Sequence, residues 1–338
     1  MATDPSPPNA DELAALYRAF VQPIIFDGIP AGQDEPTLLM LGAQPGAGKS
    51  RATGRLLAEH DDMAALTGDD LRIFHPRYRD LTVNQPEQAG GVLADATRGW
   101  VRAALDEALT SRRSLLIEGT FGDPDVTLAT AARFRQAGFH VRIVAIASPR
   151  VLSLVSAASR YLRDRKLGNP ARFTRLSAHD RGYDGTTRLI ATLATTKPVD
   201  HLSILSRNGQ VLFDASHHPA AGFDAATVAL EEGRHPASWG AHSTMELLGE
   251  LKQITGYAIA SNQLSPETAE LLDAAHEQAL RQVIPKLSVA SDSPQARFIQ
   301  QAVTEQLIAL RRAADDRNGA ELGAELAAGV APAEIEIR

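Results

Sequence analysis

The stretch "LGAQPGAGKS", residues 41–50, limits what this chain can fold into more than any other. It follows the apolar run "TLLM" and precedes "RATGRLLAEH", so it reads as a turn between a buried strand and a helix. The pattern G-x-x-x-x-G-K-[ST] describes a loop whose backbone N–H groups curl around phosphate oxygens. Gly48, Lys49 and Ser50 fit it, while Ala43 stands at the first glycine position with Gly42 one residue early. Gly46 and Gly48 remain in the bend, where positive φ is needed. The helix N-terminus that follows favours an anion. On this reading Gln44, Pro45, Gly46, Ala47, Gly48, Lys49, Ser50 and Arg51 form a cradle for ATP. Lys49 reaches the terminal phosphates and the Ser50 hydroxyl holds Mg²⁺.

A parallel sheet with helices on both faces follows from the next segments. "MAALTGDD" (63–70) reads as a second strand ending in acids, "SLLIEGT" (114–120) as a third and "FHVRIVAIAS" (139–148) as a fourth. Helices are expected over 91–113 and over "DVTLATAARFRQAG", closed by Gly138. Asn208-Gly209 between two β-rich runs of "LSILSRNGQVLFD" (202–214) signals an antiparallel hairpin. "DELAALYRAF" is a helix with Asp11 near its cap, after a disordered start at 4–10. Beyond 236 the texture changes to three helices, each opening near a serine. The expected fold class is therefore α/β, a P-loop NTPase-like, mostly parallel sheet flanked by helices with a helical C-terminal extension. The divisions are an N-terminal helical arm (1–36), a P-loop domain (37–235), a helical region (236–318) and a flexible tail (319–338).

The 338 residues are 44% hydrophobic, enough for a sizeable core. The chain lacks cysteine, which excludes disulfides and thiolate chemistry. A net charge of -7 argues against general nucleic-acid binding. The sequence has neither a signal-peptide pattern nor a long apolar span, so a cytoplasmic protein without membrane contact is expected.

A phosphate loop leaves the phosphoryl acceptor open. A GTPase would carry an N-K-x-D guanine reader, and no Asn-Lys pair occurs. A water-activating ATPase would use an acid at a strand end, for which Glu118 is the candidate. A kinase needs a base and arginines that neutralise the moving phosphoryl group. Asp69 and Asp70 end the second strand, at the edge where such sheets bind ligands. Residues 150–175 carry Arg150, Arg160, Arg163, Arg165, Lys166, Arg172 and Arg175 against a single acid, Asp164. That local excess also leaves a non-enzymatic polyanion-binding module as a third reading.

Taken in order, "AQPGAGKS", "GDDLRIFHPRY", "LLIEGT", "SRYL" and "ARFTRLSAHD" resemble the zeta toxin family, the P-loop kinases of toxin–antitoxin pairs. The resemblance spans roughly residues 37 to 215. It implies an ATP- and Mg²⁺-dependent kinase that phosphorylates the 3′-hydroxyl of the amino sugar in UDP-N-acetylglucosamine and thereby poisons cell-wall synthesis. It also implies a small protein antitoxin as partner. Carried over residue by residue, Lys49, Asp69, Arg160 and Arg172 are catalytic, with Asp69 taking the acceptor's proton and Arg175 competing with Arg172. Asp69, Arg72, Glu118 and Thr120 bind substrate, and Ser50 and Glu118 hold the metal. His75 and Pro76 follow the base and shape a turn. Two positions depart from the family pattern: Arg102 where a glutamate is expected, and Gly122 where a basic residue is common. They keep a related kinase with another small hydroxyl acceptor, a nucleotide cofactor or an antibiotic, as the alternative.

Overall fold

The computed structural model describes residues 8–68, 70–196, 198–216 and 223–329. They fall into two compact units, Met1–Ala237 and Ser238–Arg338.

In the first unit, Asn9 caps helix α1 (Ala10–Leu16) through a capping box with Glu12, so the cap lies two residues before Asp11. A π-helical turn, Tyr17–Val21, leads into α2 (Gln22–Ile25). The sheet then forms from β1 (Thr37–Gly42), β2 (Met63–Thr67), β3 (Ser114–Gly119), β4 (His140–Ala147), β5 (His201–Ser206) and β6 (Val211–Asp214). Their spatial order is β2-β3-β1-β4-β5-β6. All neighbours pair in parallel except β5 and β6, which pair antiparallel around the turn holding Gly209 at φ +82°. Since the chain leaves β1 toward β2 and later returns to β4 on the other side, a topological switch lies at β1. Ligands enter such sheets at the carboxyl ends of these strands.

Alternating side chains of β1 feed two cores, which is why the strand reads as one unbroken apolar run. Leu38 and Met40 pack with Trp100, Phe134 and Leu189 on one face. Leu39 and Leu41 pack with Ala52 and Leu56 of α3 (Lys49–Leu57) on the other. Between β2 and β3 run a 3₁₀ turn (Asp70–Phe74), α4 (Tyr78–Asn84), α5 (Pro86–Val92) and α6 (Ala94–Ser111). Helix α7 (Pro124–Gln136) joins β3 to β4, and α8 (Arg150–Lys166) with α9 (Leu176–Thr196) joins β4 to β5. Helix α10 (Asp224–Arg234) follows β6.

Two sequence boundaries move. The second strand stops at Thr67 rather than 70, because the chain turns at Gly68 into the 3₁₀ turn. The helix expected over 91–113 is two helices broken at Leu93, and the first begins at Pro86, whose fixed φ suits a first helical turn. Gly90 and Gly91 resemble a breaker locally, yet both lie inside α5.

The second unit holds α11 (Ala241–Ala260), α12 (Pro266–Gln278) and α13 (Pro294–Gly329). Ser265 caps α12 by accepting the Thr268 N–H at 3.2 Å. Helix α13 runs to Gly329, past the point where the sequence suggests a loose tail; residues 330–338 lie outside the described residues, as do 1–7, which include 4–7 of the disordered start expected at 4–10. Among the described residues, no helix is long and apolar enough to cross a membrane.

Candidate functional site

The loop between β1 and α3 has the form its glycines demand. Gly46 sits at φ +79° and Gly48, the residue that caps α3, at φ +102°. A Cβ on Gly46 would lie 2.0 Å from the Ser153 carbonyl, so the loop rests directly on the first turn of α8. Lys49 opens α3 and folds back, its Nζ donating to the Ala43 carbonyl at 3.0 Å and the Gln44 carbonyl at 3.2 Å. Gln44 and Ala47 are buried, Pro45 is half-buried, and Ser50 and Arg51 are exposed. Gln44 Nε2 donates to the Ser148 carbonyl (3.0 Å) and to Ser153 Oγ (3.2 Å). From the hairpin side, Arg207 donates to the Gly46 carbonyl and, at 2.7 Å, to Ser156 Oγ. Sequence reasoning misses Arg207, because 161 positions separate it from its loop partner.

The strand ends supply the acidic side. Glu118, the penultimate residue of β3, accepts a hydrogen bond from Thr53 Oγ1 of α3 on Oε2 at 2.9 Å. Its other carboxylate oxygen has no protein hydrogen bond among the described residues. That free oxygen and the exposed Ser50 hydroxyl fit a Mg²⁺ ion. Among the described residues no group of three or more His, Asp or Glu is placed to hold a metal ion, so such an ion would also need phosphate and water oxygens. Thr120 follows β3 and is exposed. Phe121 adopts φ +54°, and its ring fills the space a side chain on Gly42 would need. Gly122 has a similar neighbour: a Cβ there would lie 3.2 Å from Arg181 Cγ and 3.4 Å from Thr120 Oγ1. Arg102, the other departure, is exposed on α6.

Three cations converge on this loop. Lys49 has its pKa lowered to about 8, first by burial and then by Arg172 and Arg160, with Glu118 opposing. Arg172, in the connection between α8 and α9, is lowered to about 10 by burial. Arg160 on α8 is also lowered, mainly by burial and further by Arg163 and Arg72, against Asp164 and Glu118. Its Nε and Nη2 are buried without a hydrogen-bond partner among the described residues. Cations crowded together at such cost form a focused positive field, an arrangement suited to a polyanion. Arg72 lies on the 3₁₀ turn, its pKa lowered by burial. Arg175 points elsewhere: it is exposed and donates to the Glu87 carbonyl at 3.4 Å. The arginine-bearing segment is tied to α4 and α5. Tyr161 Oη donates to Glu87 at 2.6 Å, Arg165 to the Val83 carbonyl at 2.8 Å, and the Ala171 N–H to the Thr82 carbonyl at 3.4 Å.

Asp69 lies outside the described residues. Its neighbour Asp70 starts the 3₁₀ turn, its carboxyl raised by burial against a hydrogen bond from Thr67. His75 is buried and its Nδ1 accepts the Arg77 N–H at 3.1 Å, which closes the turn ahead of α4.

The fold and this loop define a P-loop kinase-like α/β protein. Residues 25–218 match the Zeta toxin family model, and the chain belongs to the zeta toxin family. It is 27% identical over 196 residues to Toxin PezT of Streptococcus pneumoniae, which covers 56% of this chain and 76% of that protein. It is 23% identical over 190 residues to Toxin zeta of Enterococcus hirae, covering 55% of this chain and 66% of that protein. A solved structure from the PezAT chromosomal toxin–antitoxin system of Streptococcus pneumoniae shares the fold. Its TM-score is 0.62 at 22% identity, over 74% of this chain and 98% of that one.

Proposed function

We propose that the chain is an ATP-dependent small-molecule kinase acting on the 3′-hydroxyl of UDP-N-acetylglucosamine, toxic to cell-wall synthesis when free and restrained by a small protein antitoxin. The observation that carries this reading is the meeting of Lys49, Arg160 and Arg172 at a glycine-built phosphate loop with Glu118 beside it. A bound nucleotide supplies the phosphoryl group; Ser50 and Glu118 would hold a Mg²⁺ ion, whose charge would offset that of the phosphates. The residues from Gln44 to Arg51 cradle the phosphate tail. Lys49 leaves its two loop carbonyls for the terminal phosphates, and Arg160 and Arg172 spread over the transferring group. Asp69 orients the acceptor hydroxyl and takes its proton late, since phosphoryl transfer asks more for positioning and charge neutralisation than for early activation. Arg72 and Thr120 hold the acceptor. Membership of the zeta toxin family supports this assignment of roles.

The test is to incubate the protein with ATP, Mg²⁺ and UDP-N-acetylglucosamine and weigh the products. One added phosphate with wild type and none with Asp69→Asn is the expected result. Wild type without a mass gain, or Asp69→Asn with equal gain, refutes it. Arg102 and Gly122 favour a second reading, the same chemistry on another small hydroxyl acceptor. A metabolite panel in which UDP-sugars outcompete nucleotide cofactors and aminocyclitols counts against that alternative.

A further inference from the structure

Behind the phosphate loop lies a chain of side chains of which only Gln44 belongs to the nucleotide cradle described above. Arg150, at the start of α8, donates from Nε and Nη2 to Asp180 on α9, at 2.8 and 2.7 Å. Asp180 Oδ1 lies 3.0 Å from His179 Nδ1. His179 Nε2 lies 2.8 Å from Ser153 Oγ. Ser153 Oγ in turn accepts from Gln44 Nε2 at 3.2 Å, and the Gln44 carbonyl receives Lys49 Nζ at 3.2 Å. Five side chains from three elements thus run from a half-buried ion pair to the phosphate loop, where the main-chain carbonyl of Gln44 makes the last link to the catalytic lysine.

The donors and acceptors fit one arrangement. The Gln44 amide donates to Ser153, and the serine's single hydroxyl proton faces His179 Nε2 as well as the Pro149 and Arg150 carbonyls. The direction of the serine–histidine bond is therefore set from the Asp180 side, whose carboxylate can only accept. His179 Nδ1 therefore carries a proton and donates to Asp180, and in the neutral ring Nε2 is left to accept from Ser153. Burial favours that state, and it lowers the His179 pKa despite Asp180. Asp180 is held well below the usual carboxylate range; burial works against this, but hydrogen bonds from His179 and Arg150 outweigh it. Ser, His and Asp in this order also build a hydrolytic nucleophile. That role is closed here: Ser153 and His179 are both 0% exposed, and Ser153 Oγ sits under the Pro149 and Arg150 carbonyls.

Backbone contacts strengthen the link. Gly46 lies on the Ser153 carbonyl, and a Cβ on Gly182 of α9 would stand 3.1 Å from Gln44 Cα and 3.2 Å from the Thr120 carbonyl. Helices α8 and α9 flank the segment that carries Arg172. The same chain therefore touches the loop at one end and brackets the arginine segment at the other.

We propose that His179 is a positioning residue: through Ser153 and Gln44 it sets the phosphate loop and the resting place of Lys49, and through Asp180 and Arg150 it locks the loop to the two helices that deliver Arg160 and Arg172. The proposal rests on the kinase reading for its nucleotide and is tested first by nucleotide binding, with turnover as a second readout. A fluorescent ATP analogue is titrated into the full-length chain as wild type, Ser153→Ala, His179→Gln and the double variant, with melting temperatures recorded alongside. Each single variant is expected to weaken nucleotide binding roughly tenfold, the effect of one buried hydrogen bond. The double variant should bind no worse than either single one, because both cut the same chain. The KM for the acceptor should stay unchanged, whereas a loosened fold would move both substrates together. Folded variants that bind with wild-type affinity, or effects that multiply in the double variant, overturn the proposal. Wild type that binds nucleotide but phosphorylates no UDP-sugar overturns the acceptor assignment and leaves the relay standing; wild type that binds no nucleotide overturns both.

Discussion

Lys49 gives the sharpest quantitative expectation. Its pKa falls from the usual 10.5 to about 8. At about 1.4 kcal/mol per tenfold, the folded chain holds the ammonium on the order of 3 kcal/mol less favourably than water does. Near pH 8 about half of the Lys49 side chains are neutral before nucleotide binds. A polyphosphate placed over Nζ restores the charged form, so binding at pH 8 takes up about 0.5 proton per ATP. The terminal phosphate does not confuse the count, since a phosphate monoester has its second pKa near 6 and is fully ionised at pH 8. Titration calorimetry at pH 8 in two buffers of different ionisation enthalpy reads the uptake as a difference in apparent binding enthalpy. By about pH 6.5 Lys49 is already protonated and its share of the uptake vanishes. Lys49→Met should abolish it at every pH. ATP that binds at pH 8 with no buffer dependence refutes the argument. The same linkage has a sign for stability. Between pH 8 and 10.5 the unfolded chain carries more protons at this position than the folded one, so stability rises with pH across that window. Lys49→Met should remove that rise and stabilise the ligand-free protein at neutral pH by about 1–3 kcal/mol.

Three further expectations concern the loop and its cations. Gly46→Ala drives a Cβ to 2.0 Å from the Ser153 carbonyl at a φ of +79°. It should cost at least about 2 kcal/mol in urea unfolding and remove nucleotide binding. Arg172→Ala should lower the phosphoryl-transfer rate roughly 10²–10³-fold, while Arg175→Ala stays within a few-fold, because only the first lies beside Lys49. Equal losses would disprove the distinction. Arg207→Ala removes one hydrogen bond to the loop at Gly46 and one to Ser156 of α8, and should raise the KM for ATP several-fold with little change in kcat.

What could be read from the residues alone divides along the range of the interactions. The phosphate loop was legible because its constraint is local: Gly46 and Gly48 must take positive φ whatever surrounds them. The hairpin at Asn208-Gly209 was legible for the same reason. Strand order was not, since nothing in the period of β1 says that β3 will lie between it and β2. The break at Leu93 was hidden because Gly90 and Gly91 carry a breaker's signal that packing overrides in α5.

The candidate site divides the same way. An unusual density of arginine between 150 and 175 could be seen, but not which arginine turns inward. Arg172 and Arg175 differ by one turn's worth of chain, and the choice is made by the Glu87 carbonyl that takes Arg175 and by the burial of Arg172 next to Ala171. The relay was further out of reach. Gln44 stands one step inside the loop motif and His179 in a motif of its own, and their link through Ser153 exists only once α8 and α9 have packed. A phosphate-loop pattern names the groups that meet the nucleotide; whether those groups are held still is decided by buried polar side chains with no pattern of their own. In this chain that decision falls to Ser153 and His179, which is why cutting the relay, rather than the loop, is the experiment that separates the motif from the machinery that makes it work.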